Sequence, residues 1–474
     1  MHEALSVGRS LLEVALLSGV GLPLLTLTAW RPAAGCAVLA LLVPLTGGIG
    51  RGTVVPVLRP SEALAIVVLT GLLYNIAARR RRLVFVGLDL VILIFVLVEV
   101  LIPLLTILLR PGHVDSDTWL TVLAPIQYLA VYMLFSRCEP DAASLRWIIN
   151  LAFVASVVVA AIAVLEVLSP SFHAIVSTYY EESPTPSWDP VYRPSSLVTH
   201  YSAVAGFGLL NGSLATALLV GRHPGFRAPW LGLVIVANVG GLLVSQTWAP
   251  LVALPIVVGA IVLCAGRIPW RQLVMAAGLV AVCVVAFLPL ASERIDQQQI
   301  FSSSGGLALP QSLDTRFRYW QEFFIPAALD NLWVGSAASA VDGDYPAPSS
   351  VPERLSMFID NEYLYEVLRA GVFALLMLLV LFAALGRAGW RARASPDPSA
   401  RTLGAACLAA VLALAITGVT SEYLTFSALT QLFWMLVGLL VAVRPEAPVA
   451  GDEIDAMWSE PSLARLREAP AGAA

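Results

Sequence analysis

Three short polar segments interrupt an otherwise apolar chain, and each brings together side chains that could do chemistry on an anion. The first is Tyr192-Arg193-Pro194-Ser195-Ser196-Leu197-Val198-Thr199-His200-Tyr201-Ser202-Ala203. An arginine at this position can hold a phosphate or carboxylate through paired hydrogen bonds. Ser195, Ser196 and Thr199 are candidate caps for a following helix, whose free N–H groups favour an anion. His200 and Tyr201 are candidates to line the site. The plainer reading makes Arg193 a snorkelling cation and His200 a packing residue.

The second segment, Ser312 to Phe324, reads as a helix from Asp314. On that helix Arg316, Trp320 and Phe324 share one face, four residues apart. Arg318 lies about 200° from Arg316 around such a helix, so the two cannot easily enter one pocket. A cation beside aromatic surface suits an anionic ligand bearing a sugar or lipid. The alternative is an amphipathic helix lying on the bilayer, arginine up and aromatics down. The third segment runs from Phe358 to Gly371 and packs Asp360, Asn361, Glu362, Glu366 and Arg369 against a long apolar block. Polar groups at a membrane boundary are costly and often functional. Asp360 also reads as an N-cap. Asp342-Gly343-Asp344 reads as a turn rather than a metal site. No P-loop, HExxH or nucleophile elbow is present, and no metal site or cofactor is expected.

The elements that must position these segments follow from composition. Of 474 residues 58% are hydrophobic and 13% charged, against about 25% charged in soluble domains. Mean hydropathy is +0.82. The apolar residues form blocks, some long enough to cross a bilayer, which takes about 20 residues, and others short or broken by proline and glycine. These lie near 11–29, 33–44, 63–78, 83–109, 119–135, 147–168, 197–220, 230–244, 251–265, 273–290, 363–385, 405–419 and 428–443. The sequence therefore predicts an all-α polytopic membrane protein of about 12–13 transmembrane helices. Asp89 and Glu99 are the charges inside the fourth block. All permanent cations are arginine. Arg79–Arg82, Arg137 with Arg146, Arg222 with Arg227, Arg267 with Arg271, and Arg387 to Arg401 fit a cytoplasmic face, while the side of the first two blocks stays open. The transmembrane domain is expected over 1–444, with extracytoplasmic loops at 169–196 and 292–359. The second loop carries eight carboxylates against four arginines. A disordered cytoplasmic tail is expected over 445–474. No cleavable leader is evident. The five cysteines show no paired spacing and read as packing residues.

In order and setting the three segments resemble the O-antigen ligase/polymerase superfamily of bacterial membrane glycosyltransferases. The resemblance runs through Arg193 before Ser195–Ala203, then Arg316 with Trp320 and the Asn331–Gly335 stretch. It ends on Asp360-Asn361, Tyr363-Leu364 and Gly371. It implies a GT-C-like fold in the bacterial inner membrane, working on the extracytoplasmic face. The implied substrate is a glycan on an undecaprenyl diphosphate carrier, handled without nucleotide sugar or metal. Arg193 and Arg316 would hold the diphosphate leaving group. Asp360 stands where the ligases carry a histidine and is the candidate to activate the acceptor hydroxyl, with His200 or Glu366 as alternatives. Tyr201, Arg318, Trp320, Asn361, Tyr363 and Glu366 are candidate substrate contacts with His200. The Asp-Asn form looks more like the polysaccharide polymerases than the ligases. The family arginine near Ser245-Gln246-Thr247-Trp248 is absent. The expected activity is polymerisation of surface-polysaccharide repeat units, with a chain-length regulator as a conceivable partner and no nucleic acid. Ligation of a finished glycan and transport of a lipid-linked glycan or small anion are the alternatives.

Overall fold

The computed structural model describes residues 17–55, 58–79, 85–109, 116–182, 192–265, 311–336 and 359–443, with single helical positions at 270, 274, 278, 285 and 292. The block expected at 273–290, most of the 292–359 loop with Asp342–Asp344, Arg80–Arg82, Arg267, Arg271 and the tail lie outside the described residues. Among those described the backbone is helical, with no strand.

The helices are α1 (Leu22–Trp30), α2 (Pro32–Thr46), α3 (Pro60–Arg79), α4 (Gly87–Leu109), α5 (Ser116–Arg137) and α6 (Ala142–Leu168). Next come α7 (Pro170–Tyr179), α8 (Tyr201–Val220), α9 (Ala228–Val244), α10 (Trp248–Ala265), α11 (Gln311–Tyr319) and α12 (Ile325–Asp330). The chain closes with α13 (Glu362–Ala392), α14 (Pro398–Thr417) and α15 (Ser427–Ala442). Eight described helices are long and apolar enough to cross a membrane, and α2, α9, α15 and the stretch Gly19–Trp30 are shorter apolar helices. Each satisfies its own backbone bonds, as a hydrocarbon solvent demands. Local signals set their starts. Asp141 and Asp397 cap α6 and α14 by accepting from backbone N–H groups, and Pro398 sits at the first turn of α14, where a missing N–H costs nothing. Cys36, Cys138 and Cys407 are buried free thiols, consistent with packing.

Helix α8 is the centre of the bundle and packs on α6, α9, α10, α14 and α15. The spans bring their connections to two ends. One end gathers the 137–141, 221–227 and 393–397 turns, where His223 Nε2 meets Ser399 Oγ at 3.1 Å. Arg137 reaches back at this end to Asp89 (2.5 Å), which also accepts from the Tyr132 hydroxyl (2.5 Å). The other end gathers the 192–200, 245–247, 359–361 and 418–426 segments. Here Arg51 and Arg59 pair with Glu62 and Glu181. The first helices fit the same arrangement: the last turn of α2 lies near Leu197, since a Cβ on Gly48 would sit 2.5 Å from the Leu197 carbonyl oxygen. The intramembrane charges are internally paired, Asp89 with Arg137 and Glu99 with Arg369 (3.3 Å).

Helix α13 is two helices joined at a break. Ala370 and Gly371 leave helical geometry, Gly371 with φ 77° and ψ −172°. A Cβ there would come 2.1 Å from the Trp333 carbonyl oxygen. The turn 331–336 tucks into the break: Ser336 N–H donates to the Leu368 carbonyl (2.7 Å) and Val372 N–H to that of Leu332 (2.8 Å). Gly335, at φ 68°, faces the α13 backbone from the other side. The Asn331–Gly335 stretch and Gly371, distant in sequence, are thus one contact.

Candidate functional site

At the end opposite the 137–141 and 221–227 turns, three chain segments meet. Arg193 enters from the segment before α8. It is 7% exposed, its Nε donates to the Ser245 carbonyl (3.0 Å) and its Nη2 to Thr247 Oγ1 (2.9 Å). Its guanidinium lies over the Tyr201 ring at 3.3 Å. The Ser245–Thr247 turn is therefore the seat that orients Arg193.

The run after Arg193 departs from the expected capping. Ser196–Val198 forms a 3₁₀ turn and Thr199 takes a left-handed conformation. Ser196 Oγ donates to the Val159 carbonyl (2.8 Å) and its N–H to Glu166 (3.0 Å). The cap of α8 is His200 itself, whose Nδ1 accepts from Ser202 N–H at 3.0 Å. Ser196 and Thr199 are engaged before the helix begins, and none of the three hydroxylated residues caps it. The His200 ring stacks on Phe426 (4.8 Å) and lies tilted on Tyr201 (4.1 Å). Burial, reinforced by the charges of Arg193 and Arg316, pushes its imidazole down to about 3. It is neutral at physiological pH, and since Nδ1 accepts, the proton is assigned to Nε2.

Arg316 comes from α11. Its Nε donates to Asp360 Oδ2 at 3.0 Å, with both side chains about a quarter exposed (24% and 25%). One turn on, Trp320 Nε1 donates to the Ile359 carbonyl at 2.6 Å. The two residues thus grip adjacent points of one turn, a physical reason for their four-residue spacing. The expected helix holds with one change: beyond Tyr319 it widens into a π turn, Trp320–Phe324. Trp320 and Phe324 are buried on the face expected of them. Arg318 points away and pairs with Asp314 near solvent.

Asp360 is not the helix cap; Asn361 is. Asn361 Oδ1 accepts from Leu364 N–H (2.9 Å) and its Nδ2 donates to the Val419 carbonyl (3.1 Å). Tyr363 donates to the Ala415 carbonyl (2.6 Å). Together they tie the start of α13 to the last turn of α14 and to the connection that follows it. Asp360 sits one residue outside the cap, in a left-handed conformation (φ 51°) that turns its carboxylate to Arg316. Its N–H donates to Glu422 Oε1 (2.7 Å). Glu366 is elsewhere, buried with Glu99, Tyr365 and Arg369 between α4, α5 and α13.

Two residues of the 418–426 connection escaped the sequence reading. Glu422, buried to 7% exposure, is pushed up to about 8 by burial and then by Asp360. Tyr423 is 1% exposed and its hydroxyl is without a hydrogen-bond partner. The signal was available: Thr420-Ser421-Glu422 is a polar cluster between two apolar blocks, the kind of boundary position that marked Asp360. Among the described residues no group of side chains could hold a metal. The arrangement is a mouth lined by two arginines, a neutral imidazole and a carboxylate. That set can bind a phosphate ester and accept a proton from a hydroxyl, a chemistry of positioning and charge.

The fold defines an all-α multi-pass membrane protein. Residues 232–379 match the family model described as O-antigen ligase, and the match bears out the resemblance to the O-antigen ligase/polymerase superfamily over that segment. It takes in Arg316, Trp320 and Asp360 and leaves Arg193, Glu422 and Tyr423 outside. Comparison with curated proteins gives no match.

Proposed function

We propose that the chain is a membrane glycosyltransferase that polymerises repeat units of a surface polysaccharide, drawing the growing glycan from an undecaprenyl diphosphate carrier. The observation that carries this reading is the convergence of Arg193 and Arg316, from segments over 120 positions apart, on one neutral histidine. The two cations neutralise the charge that develops as the diphosphate leaves. Asp360, oriented by Arg316, takes the proton of the acceptor hydroxyl as the new glycosidic bond forms. His200 is a wall and a cap rather than a base, since its accepting nitrogen is already used. Asn361, Trp320 and Tyr363 hold the mouth in shape, while Tyr201 carries the stacked Arg193. Arg318, with its own carboxylate partner near solvent, is at most a rim contact, and Glu366 acts at a distance if at all.

The arginine distribution supports an extracytoplasmic mouth. The opposite end carries Arg31, Arg79, Arg137, Arg146, Arg222, Arg227, Arg393 and Arg401, the bias expected of a cytoplasmic face. Arg51 and Arg59 at the mouth end are paired. The location is the bacterial inner membrane. The pairing of Asp89 and Glu99 with arginines weighs against transport, which calls for exchangeable midplane charges. Asp360-Asn361 in place of a histidine motif favours polymerase over ligase.

Polysaccharide length in a deletion strain carrying Arg193→Ala, Arg316→Ala or Asp360→Asn tests the proposal. Loss of long chains with accumulation of single lipid-linked units is expected. Finished long chains left on the carrier would mean ligation instead, and unaltered, attached chains in all three strains would overturn the enzyme reading.

A further inference from the structure

Tyr423 presents a problem that protein contacts alone do not solve. Its hydroxyl is buried, with the residue 1% exposed, and has no hydrogen-bond partner. An orphaned buried donor destabilises the fold, and phenylalanine would fill the same space without that cost. The ring is held from two sides. A Cβ on Gly206 of α8 would come 2.8 Å from the ring's Cδ1 and Cε1, so only glycine admits the ring there. Phe426 meets the ring edge-on at 6.0 Å. The orientation of the hydroxyl is thus set by packing.

The ring lies beside the mouth: Phe426, which meets it edge-on, also stacks on His200. The charges that act on the hydroxyl are those of Arg316 and Arg193 first, then Asp360 and Tyr201. Burial raises the phenol far above its usual range, so it stays an O–H donor. Arg193 is fixed by the Ser245–Thr247 turn and by Tyr201, and Arg316 by Asp360. A fixed neutral donor beside two fixed cations makes a third contact for an anion with several oxygens, without placing another charge in the site.

We propose that the Tyr423 hydroxyl is a third donor to the carrier's diphosphate, contacting a phosphate oxygen drawn in by Arg193 and Arg316. This rests on the function proposed above. It brings the α14–α15 connection, which lies beyond the matched segment 232–379, into the binding site. The ligand class is a diphosphate ester, and the contact is to its phosphate oxygens.

The test uses the full chain in lipid nanodiscs, with undecaprenyl diphosphate and inorganic pyrophosphate as probes. A hydrogen bond to a charged group is worth about 1.5–3 kcal/mol, so Tyr423→Phe should weaken binding of both probes by about 10- to 150-fold. Its melting temperature should equal or exceed the wild type, because the substitution removes an orphaned group. Arg316→Ala is the control for the site itself. Weak binding by Arg316→Ala with wild-type binding by Tyr423→Phe would overturn the Tyr423 contact alone. Wild-type binding by both variants, or none by the wild type, would overturn the diphosphate site on which it rests. A lower melting temperature in Tyr423→Phe would also overturn it, by showing that the hydroxyl serves the fold. A loss confined to the lipid probe would overturn the assignment to phosphate.

Discussion

Replacing Gly371 by alanine should dismantle the turn that braces the mouth. Gly371 has φ 77° and ψ −172°, a region essentially reserved for glycine, and occupying it with a side chain costs about 1–3 kcal/mol. The new Cβ would sit 2.1 Å from the Trp333 carbonyl oxygen and 2.7 Å from Val334 N. Both are backbone atoms, so no rotamer change relieves the clash. The 331–336 turn must withdraw and take with it the Ser336–Leu368 and Val372–Leu332 bonds. Each buried group left unsatisfied costs about 1–3 kcal/mol. The total is on the order of 5 kcal/mol, comparable with the whole stability of many domains. Gly259→Ala is the matched control: it lies in α10 with no atom within 4 Å of its added Cβ, and helix propensity alone favours it by up to about 1 kcal/mol. Melting followed by size-exclusion chromatography in detergent, together with the amount of protein recovered from membranes, reads both variants. Gly371→Ala should aggregate or melt far below the wild type, and Gly259→Ala should match it. Equal melting of the two variants would refute the claim that the break is a designed seat for the turn.

Two further outcomes follow from the site. Glu422 lies at about 8 in the folded protein against an ordinary value of 4.5. The folded state holds a proton that the unfolded chain releases, so stability falls as pH rises between those values and is level above. Glu422→Gln should flatten that part of a melting-temperature profile, and an unchanged slope would remove Glu422 as its source. His200 is neutral down to about 3, so activity should show no His200-dependent limb near pH 6.5. His200→Asn, which keeps a capping acceptor for Ser202 N–H, should melt higher than His200→Ala by the worth of a cap, about 1 kcal/mol; equal melting would mean that the cap contributes nothing.

Much of this was legible in the chain because a bilayer makes a simple demand. A long apolar run such as 83–109, with Asp89 and Glu99 its charges, reads as a spanning helix, and α4 covers Gly87–Leu109. The separation of Arg316 from Arg318 was readable from helical geometry alone. Cap assignments were less secure, since Asp360 and Asn361 are both good caps and only tertiary contacts decide. Trp320 and Glu422 hold the 359–360 turn one residue outside α13, which leaves the cap to Asn361. His200 took the place expected of three hydroxylated residues because Glu166 and the Val159 carbonyl had already engaged Ser196. Glu366 is close to Asp360 in sequence, yet it lies one turn beyond Glu362 and turns inward to Glu99. Glu422 and Tyr423 sit in a short connection, and nothing local indicates that they meet Asp360 and Arg316 across the bundle.

The 418–426 connection also fixes when the site can exist. Ribosomes deliver the chain from its N-terminus, and segments fold in that order. Until α14 and α15 have entered the bilayer, Asp360 N–H has no Glu422, Glu362 N–H has no Gly418 carbonyl, and His200 has no Phe426 to lie on. A chain still being synthesised therefore passes through the membrane with two arginines in place but the mouth unfinished. Insertion of the α14–α15 hairpin is the step that closes it.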